Sequence, residues 1–401
     1  MTAPHTSSHG SALARFRESA GHRLTMVLVG FVMAMTAPIE LLYAIKLGLS
    51  PVLVTVFIVS SAAGLMLVDV LGTRVVTRID ARSTAVVGMV LFAVSEACYG
   101  LADRAPELIA ARVVQGLASA VVAGAALQVT VRIRARPHRA LGSNASLQML
   151  GGSVGAPAGG ILATQHAGVD GYRLAFAICC GAGLAAGALV VLLLPRLPAS
   201  DQLGRPRIGL PRLAVGRAVR VALTLGLIGN YLRSGIENTA FPLIGDAAGL
   251  TAAGIGISLG VLSMVEIVVL GISGALFEKV PPARALVWAL GLGVIALSAL
   301  AVAQSLSGFL AAAVLFGLVD GVALAAPPVL VVATSPDPST AVANYRIACG
   351  VGSFSGSGSV NLLFGALGTT GCVVGGGLVL LCAAVLARSR SLAETRAIRA
   401  Q

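Results

Sequence analysis

The chain has 401 residues, of which 57% are hydrophobic and 11% charged, with a mean hydropathy of +0.93. A soluble globular body of this length needs a polar exterior that such a composition cannot supply, so the expected class is an all-α polytopic membrane protein. The formal net charge of +12 does not indicate nucleic acid, because the basic residues sit in short loops between apolar runs.

In chain order, the head (residues 1–23) is polar and carries Arg15, Arg17 and Arg23, like the positive flank of a signal sequence. The apolar run after it is too long for a signal core and more runs follow, so it reads as a tail leading into an uncleaved first helix. Runs bounded by Pro, Gly or charge give twelve expected spans. The first six cover 24–45, 51–73, 83–102, 107–131, 140–163 and 173–194. The second six cover 219–243, 251–277, 284–304, 307–331, 339–366 and 370–387. Residues 195–218, rich in Arg and Pro, read as a cytoplasmic linker between a first half (24–194) and a second half (219–387), with a cytoplasmic tail at 388–401.

Charge sets the expected orientation. With both termini inside a cytoplasmic membrane, only Lys46, Arg104 and Arg173 fall in outer loops, while nearly all other basic residues outside the spans are cytoplasmic. The six cysteines lie in apolar runs without a CxxC pair and read as small buried hydrophobes; the five histidines lie outside the spans, so no metal site is expected.

Sliding the chain on itself by 201 residues exposes an internal repeat. Leu49-Ser50 meets Leu250-Thr251, Thr77-Arg78 meets Glu278-Lys279, Val113, Gly116 and Leu117 meet Val314, Gly317 and Leu318, and Gly151 and Gly155 meet Gly352 and Gly356. Two parallel halves related by an axis along the membrane normal are implied. In the fifth run, Gly151, Gly155 and Gly159 share one helix face that a neighbour can approach to backbone distance, and Pro157 bends the helix beside Gly160. With their repeats at Gly352 and Gly356, these glycines are expected to pack against helices of the opposite half.

Four patterns resemble the major facilitator superfamily of twelve-span secondary transporters. Gly274-Ala275-Leu276-Phe277-Glu278-Lys279 is similar to its loop motif between spans two and three. The first-half copy keeps Arg78 and Arg82 but has Thr73 and Thr77 where the family has Gly and Asp. Arg112-Val113-Val114-Gln115-Gly116 resembles the family's Arg-x-x-Gln-Gly in span four, and Gly151 to Gly160 resembles the span-five pattern of its exporters, with Ala156 intervening before Pro157. Gly171-Tyr172-Arg173-Leu174-Ala175-Phe176 matches the opening of span six. The resemblance implies a cavity lined by spans one, four, seven and ten, and a loop motif acting as a charge latch.

Ionisable residues at membrane depth are costly and mark candidate sites. They are Glu40, Glu96, Arg112, Arg233, Glu237, Glu266, Asp320 and Arg346. By resemblance the cavity selects Glu40, Arg112, Gln115, Arg233, Glu237 and Asp320 for proton coupling or substrate, and Glu266 joins them as an acid unpaired in sequence. Arg233 and Glu237 at i, i+4 can pair along one helix face, either as a self-contained pair or as part of a transport site. Glu40 sits towards an outer end, open either to outer water or to the cavity, and Arg112 either snorkels outward or faces inward. Asp320 is mid-span with no local basic partner. Ser353, Ser355, Ser357 and Ser359 alternate rather than share a face and read as tight packing.

No catalytic motif or nucleotide-binding loop occurs, so the protein is not expected to be an enzyme and needs no cofactor beyond an ion gradient. The expected function is a monomeric, proton-coupled exporter of a small organic metabolite or drug, with protons and the lipid bilayer as its other partners and no nucleic acid. A proton-coupled uptake symporter, an uncoupled facilitator and a non-transporting receptor or scaffold of the same fold remain alternatives.

Overall fold

The computed structural model describes residues 8–68, 80–133, 137–194, 216–335 and 338–388, with side chains described for all of these but 8–19, 127–145 and 338–343. Every regular element among the described residues is helical. Backbone polar groups in hydrocarbon must be satisfied within the segment, and helices do this alone. The first six helices are α1 (Ser8–Met35, continued by Glu40–Lys46), α2 (Pro51–Leu67), α3 (Ala81–Leu101), α4 (Ala105–Ile133), α5 (Pro137–Ala163) and α6 (Val169–Leu193). Then come α7 (Arg217–Leu232, a π-helical Arg233–Ala240, and Phe241–Ala247), α8 (Ala252–Lys279), α9 (Pro282–Val302) and α10 (Leu306–Thr334). Pro338–Ala387 is one helical run broken at Gly368, whose φ of 60° and ψ of −149° turn the backbone between α11 and α12.

Eight described segments are long and apolar enough to cross a membrane, while Pro51–Leu67 is shorter. Exposed apolar side chains such as Val94, Leu192, Trp288 and Val302 mark surfaces that a bilayer would cover. The sequence boundaries need three corrections. Residues 8–23, expected as a polar tail, already form the start of α1, because Ala, Leu and Arg in that stretch favour helix. Span one is interrupted between Met35 and Glu40, where Pro38 has no N–H to give. Arg217 and Ala218, placed in the linker, are the first turn of α7, and the remainder of the linker, with Arg78 and the 388–401 tail beyond Arg388, lies outside the described residues.

The first-half helix pairings recur in the second. Packing of α1 on α5, α2 on α4, α3 on α4 and α3 on α6 is matched by α7 on α11, α8 on α10, α9 on α10 and α9 on α12. Turns recur too. Gly48 and Gly249, with φ of 76° and 79°, precede Ser50 and Thr251, which cap α2 and α8 through bonds from Leu53 N and Gly254 N.

The glycine faces pack differently from the expectation. A Cβ on Gly151, Gly155 or Gly159 would meet the backbone of Val27, Phe31 or Met35, all on α1. Gly352 and Gly356 meet Leu227 and Tyr231 of α7 in the same manner. Both faces therefore seal contacts within a half. The crossing to the opposite half uses the next face of α5, where Ser153, Ala156, Pro157 and Gly160 meet Gly260, Gly256 and Ala252 of α8. A second crossing joins α2 to α11, where Asn361 Nδ2 donates to Pro51 O (3.0 Å) and Thr55 Oγ1 (2.8 Å).

Candidate functional site

Two buried charged clusters face each other across the middle of the bundle. In the first half the break in α1 brings Glu40 inward, and Glu40 is 5% exposed rather than open to outer water. Arg112 of α4 forms an ion pair with it instead of snorkelling, and stands 5.3 Å from the Phe57 ring centroid. Gln115, one helical turn along α4, ties the cluster together. Its Oε1 accepts from Arg112 at 2.7 Å and from Tyr99 Oη at 3.3 Å. Its Nε2 donates to Glu40, to Thr36 Oγ1 at 3.3 Å and to Glu96 Oε1 at 3.3 Å. Glu96 falls outside the expected cavity set because α3 is not a lining span in the family. The structure buries it completely and leaves its Oε2 without a hydrogen-bond partner. Its presence among apolar neighbours of α3 is the one signal the sequence offers.

In the second half, the π-helical stretch of α7 presents Arg233 and Glu237. Asn238 Nδ2 and Thr239 Oγ1 donate to the carbonyls five residues back, Arg233 O at 3.4 Å and Ser234 O at 2.8 Å, bridging the widened turns. Arg233 is not confined to an intrahelical pair. It lies 3.8 Å from Glu237, 3.9 Å from Glu266 of α8 and 3.9 Å from Asp320 of α10. Asp320 and Glu266, unpaired in sequence, thus share one guanidinium. Oxygen atoms of the three carboxyls lie within 4.8 Å of one another, and both oxygens of Glu266 and of Asp320 lack a hydrogen-bond donor from outside the three carboxyls.

Two cavities adjoin these clusters. A large one of about 1020 Å³ is walled mainly by apolar residues of α1, α5, α8 and α10, with Arg233, Glu237 and Asn238 at its inner end. It extends past Gly274 and Phe277 towards the end of the bundle at which α1 begins. A smaller one of about 250 Å³ is bordered by Glu40, Arg112, Gln115, Ser119, Ser234 and Asn238. Ser353 and Ser357, one turn apart on α11, also face it, and Ser357 Oγ donates to Ser234 O at 3.1 Å. The serine strip is therefore split between faces, Ser359 bonding instead to Tyr231 Oη at 2.7 Å. At the opposite end of the bundle the continuations of α1 and α7 touch.

The remaining expected residues are placed as follows. Pro157 and Gly160 belong to the α5–α8 crossing, and Gly274 is exposed on the large cavity. Glu278 and Lys279 are exposed at the end of α8 and make no ion pair among the described residues. Arg82 and Arg346 are half-buried. None of the six cysteines forms a disulfide, and Cys98 and Cys382 are exposed rather than buried.

A many-helix bundle with a central cavity, charged residues at membrane depth and a duplicated packing scheme is built as a transporter. The family model of the Major Facilitator Superfamily matches residues 24–356, and the chain belongs to that family of secondary transporters. Among solved structures it is similar to a bacterial homolog of the human lysosomal transporter Spinster in an inward-facing, unoccupied conformation, with a TM-score of 0.70 and 15% identity over 95% of this chain and 97% of that one. The same homolog in an inward-facing, occupied conformation matches with a TM-score of 0.63 and 15% identity over 97% of each chain. No curated protein matches the sequence.

Proposed function

We propose that the protein is a monomeric proton-coupled exporter in the cytoplasmic membrane, both termini cytoplasmic, exchanging a small organic molecule for protons by alternating access. The observation that carries this reading is the Arg233 cluster: three buried carboxyls share one guanidinium at the wall of the large cavity. Ionisable groups held at that depth persist where they serve a proton or substrate pathway. The predominantly apolar cavity wall with its polar inner end favours a substrate with an apolar body and one polar group. Export rather than uptake follows the span-five resemblance, and the large cavity, which extends towards the terminal end, is where a cytoplasmic substrate would load.

The test uses everted membrane vesicles carrying a pH-sensitive dye and a panel of amphiphilic compounds. At least one compound should collapse an inside-acid gradient in vesicles with the parent protein and not in vesicles lacking it. Asp320→Asn and Glu237→Gln should abolish that response. A response unchanged in both variants overturns the assignment of the coupling residues.

A further inference from the structure

Glu237, Glu266 and Asp320 with Arg233 form a group whose charges do not cancel. Fully ionised, three carboxylates and one guanidinium leave two unbalanced negative charges in a region where Glu266 and Asp320 are 0% exposed. Uncompensated charge in such surroundings is neutralised rather than tolerated. Among the described residues the facing groups offer no further cation: Tyr345 of α11 is within electrostatic range of Asp320, and Cys349 lies beside it, accepting from Asn230 Nδ2 at 2.9 Å. Both are neutral. Five oxygen atoms of the cluster, one on Glu237 and two each on Glu266 and Asp320, are buried with no donor from outside the three carboxyls, so only a proton held between the carboxyls satisfies them.

We propose that this cluster is a two-proton site: in the conformation described here Glu237, Glu266 and Asp320 together hold two protons, with Arg233 balancing the one remaining carboxylate. The proposal rests on the reading of these acids as the coupling groups and adds their proton count. Protons fit better than a metal ion for two reasons. A hard cation takes six or more oxygen ligands, and the three carboxyls offer only one oxygen each to a common centre. Arg233, 3.8–3.9 Å from all three, already occupies the central position of positive charge. Since Glu237 also borders the large cavity, the site has a route by which its protons can exchange. The three groups titrate as one unit, so the count belongs to the cluster and not to a single residue. Exchange of an uncharged substrate for two protons would move net charge across the membrane.

Infrared spectroscopy of the full-length protein in lipid nanodiscs counts protonated carboxyls through their C=O stretch, with no need to know the substrate. At neutral pH, Glu237→Gln, Glu266→Gln and Asp320→Asn should each remove one protonated carboxyl, and the Glu266→Gln/Asp320→Asn pair should remove two. Arg233→Gln should add one, because the third carboxylate loses its counter-charge. The gain and the losses have opposite signs, so unfolding cannot mimic the set. Glu278→Gln, exposed at the end of α8, should leave the band unchanged. A band indifferent to the Glu266 and Asp320 substitutions overturns the proposal, as does its loss on adding Na⁺ or Ca²⁺ at constant pH. If the band behaves as stated while the vesicle response survives Asp320→Asn, the proton count stands and the coupling role fails; the converse pattern leaves coupling and removes the count.

Discussion

Glu40 and Arg112, on α1 and α4, form an ion pair that the amide of Gln115 braces from both sides, accepting from the guanidinium and donating to the carboxylate. The side chains are 6% and 18% exposed, so neither charge is well solvated alone. Removing one partner of such a pair strands the other, at a cost of about 3 kcal/mol. Arg112→Gln should therefore lower thermal stability in detergent more than the Glu40→Gln/Arg112→Gln pair does. Equal losses in the single and double variants, read by a thermal-unfolding assay, would show that the pair contributes no coupling.

That cluster marks how far the sequence carries. Arg112 and Gln115 are legible as a pattern on α4, and Glu40 as an acid at depth, because a lone charge in an apolar run is conspicuous. Their meeting is not legible: it depends on the break at Pro38, which turns Glu40 inward from a position that a straight helix leaves near the outer end. Asp320 and Glu266 are likewise visible singly, and only helix packing brings both to Arg233. Glu96 is visible as a charge but not as a site residue, since its helix lines no cavity in the family and its link to the site runs through Gln115. The glycine periodicity of α5 does reveal a close-packing face. Which neighbour fills it depends on a rotation of the helix by about one residue, and periodicity carries no such information.

Gly155 tests the packing within the first half. An alanine Cβ there would fall 3.0 and 3.1 Å from the backbone carbonyl carbon and Cα of Phe31 and closer still to its carbonyl oxygen, atoms that no side-chain rotation moves aside. Gly155→Ala should destabilise the fold by about 1–3 kcal/mol, the usual cost of forcing atoms into a packed contact. Gly181, on α6, has nothing within 4 Å of an added Cβ, so Gly181→Ala should leave stability unchanged or raise it slightly. Comparable thermal shifts for the two variants would contradict the α1–α5 contact.

Gly260 tests the crossing between halves. Its added Cβ would lie 2.6 Å from both Ser153 O and Pro157 Cγ of α5. Because this contact joins the two halves beside the large cavity, which Ala156 and Leu259 also border, bulk there should push the halves apart. Ala252, 6% exposed and packed against Gly160 of α5, serves as a reporter. In a cysteine-free background, Ala252→Cys should react with a membrane-impermeant maleimide several-fold faster when Gly260→Val is present. Unchanged labelling with a lowered unfolding temperature would mean that Gly260 is only a packing position.

Asn361 offers the complementary experiment at the second crossing, because its amide spans the two halves through hydrogen bonds and not through bulk. It donates to Pro51 O at 3.0 Å and Thr55 Oγ1 at 2.8 Å, while Thr55 Oγ1 itself donates to Pro51 O at 2.9 Å. Each such bond contributes a net 0.5–1.5 kcal/mol, so Asn361→Ala should shift the balance between closed and open arrangements of this end by roughly tenfold. Thr55→Val removes one of the two acceptors and should shift it less. Spin labels at Val52 and Leu362, both exposed near the crossing, would report the change as a longer-distance population that grows from the parent through Thr55→Val to Asn361→Ala. Identical distance distributions in all three proteins would mean that α2 and α11 do not separate at this point, and that opening takes place at the α5–α8 crossing alone.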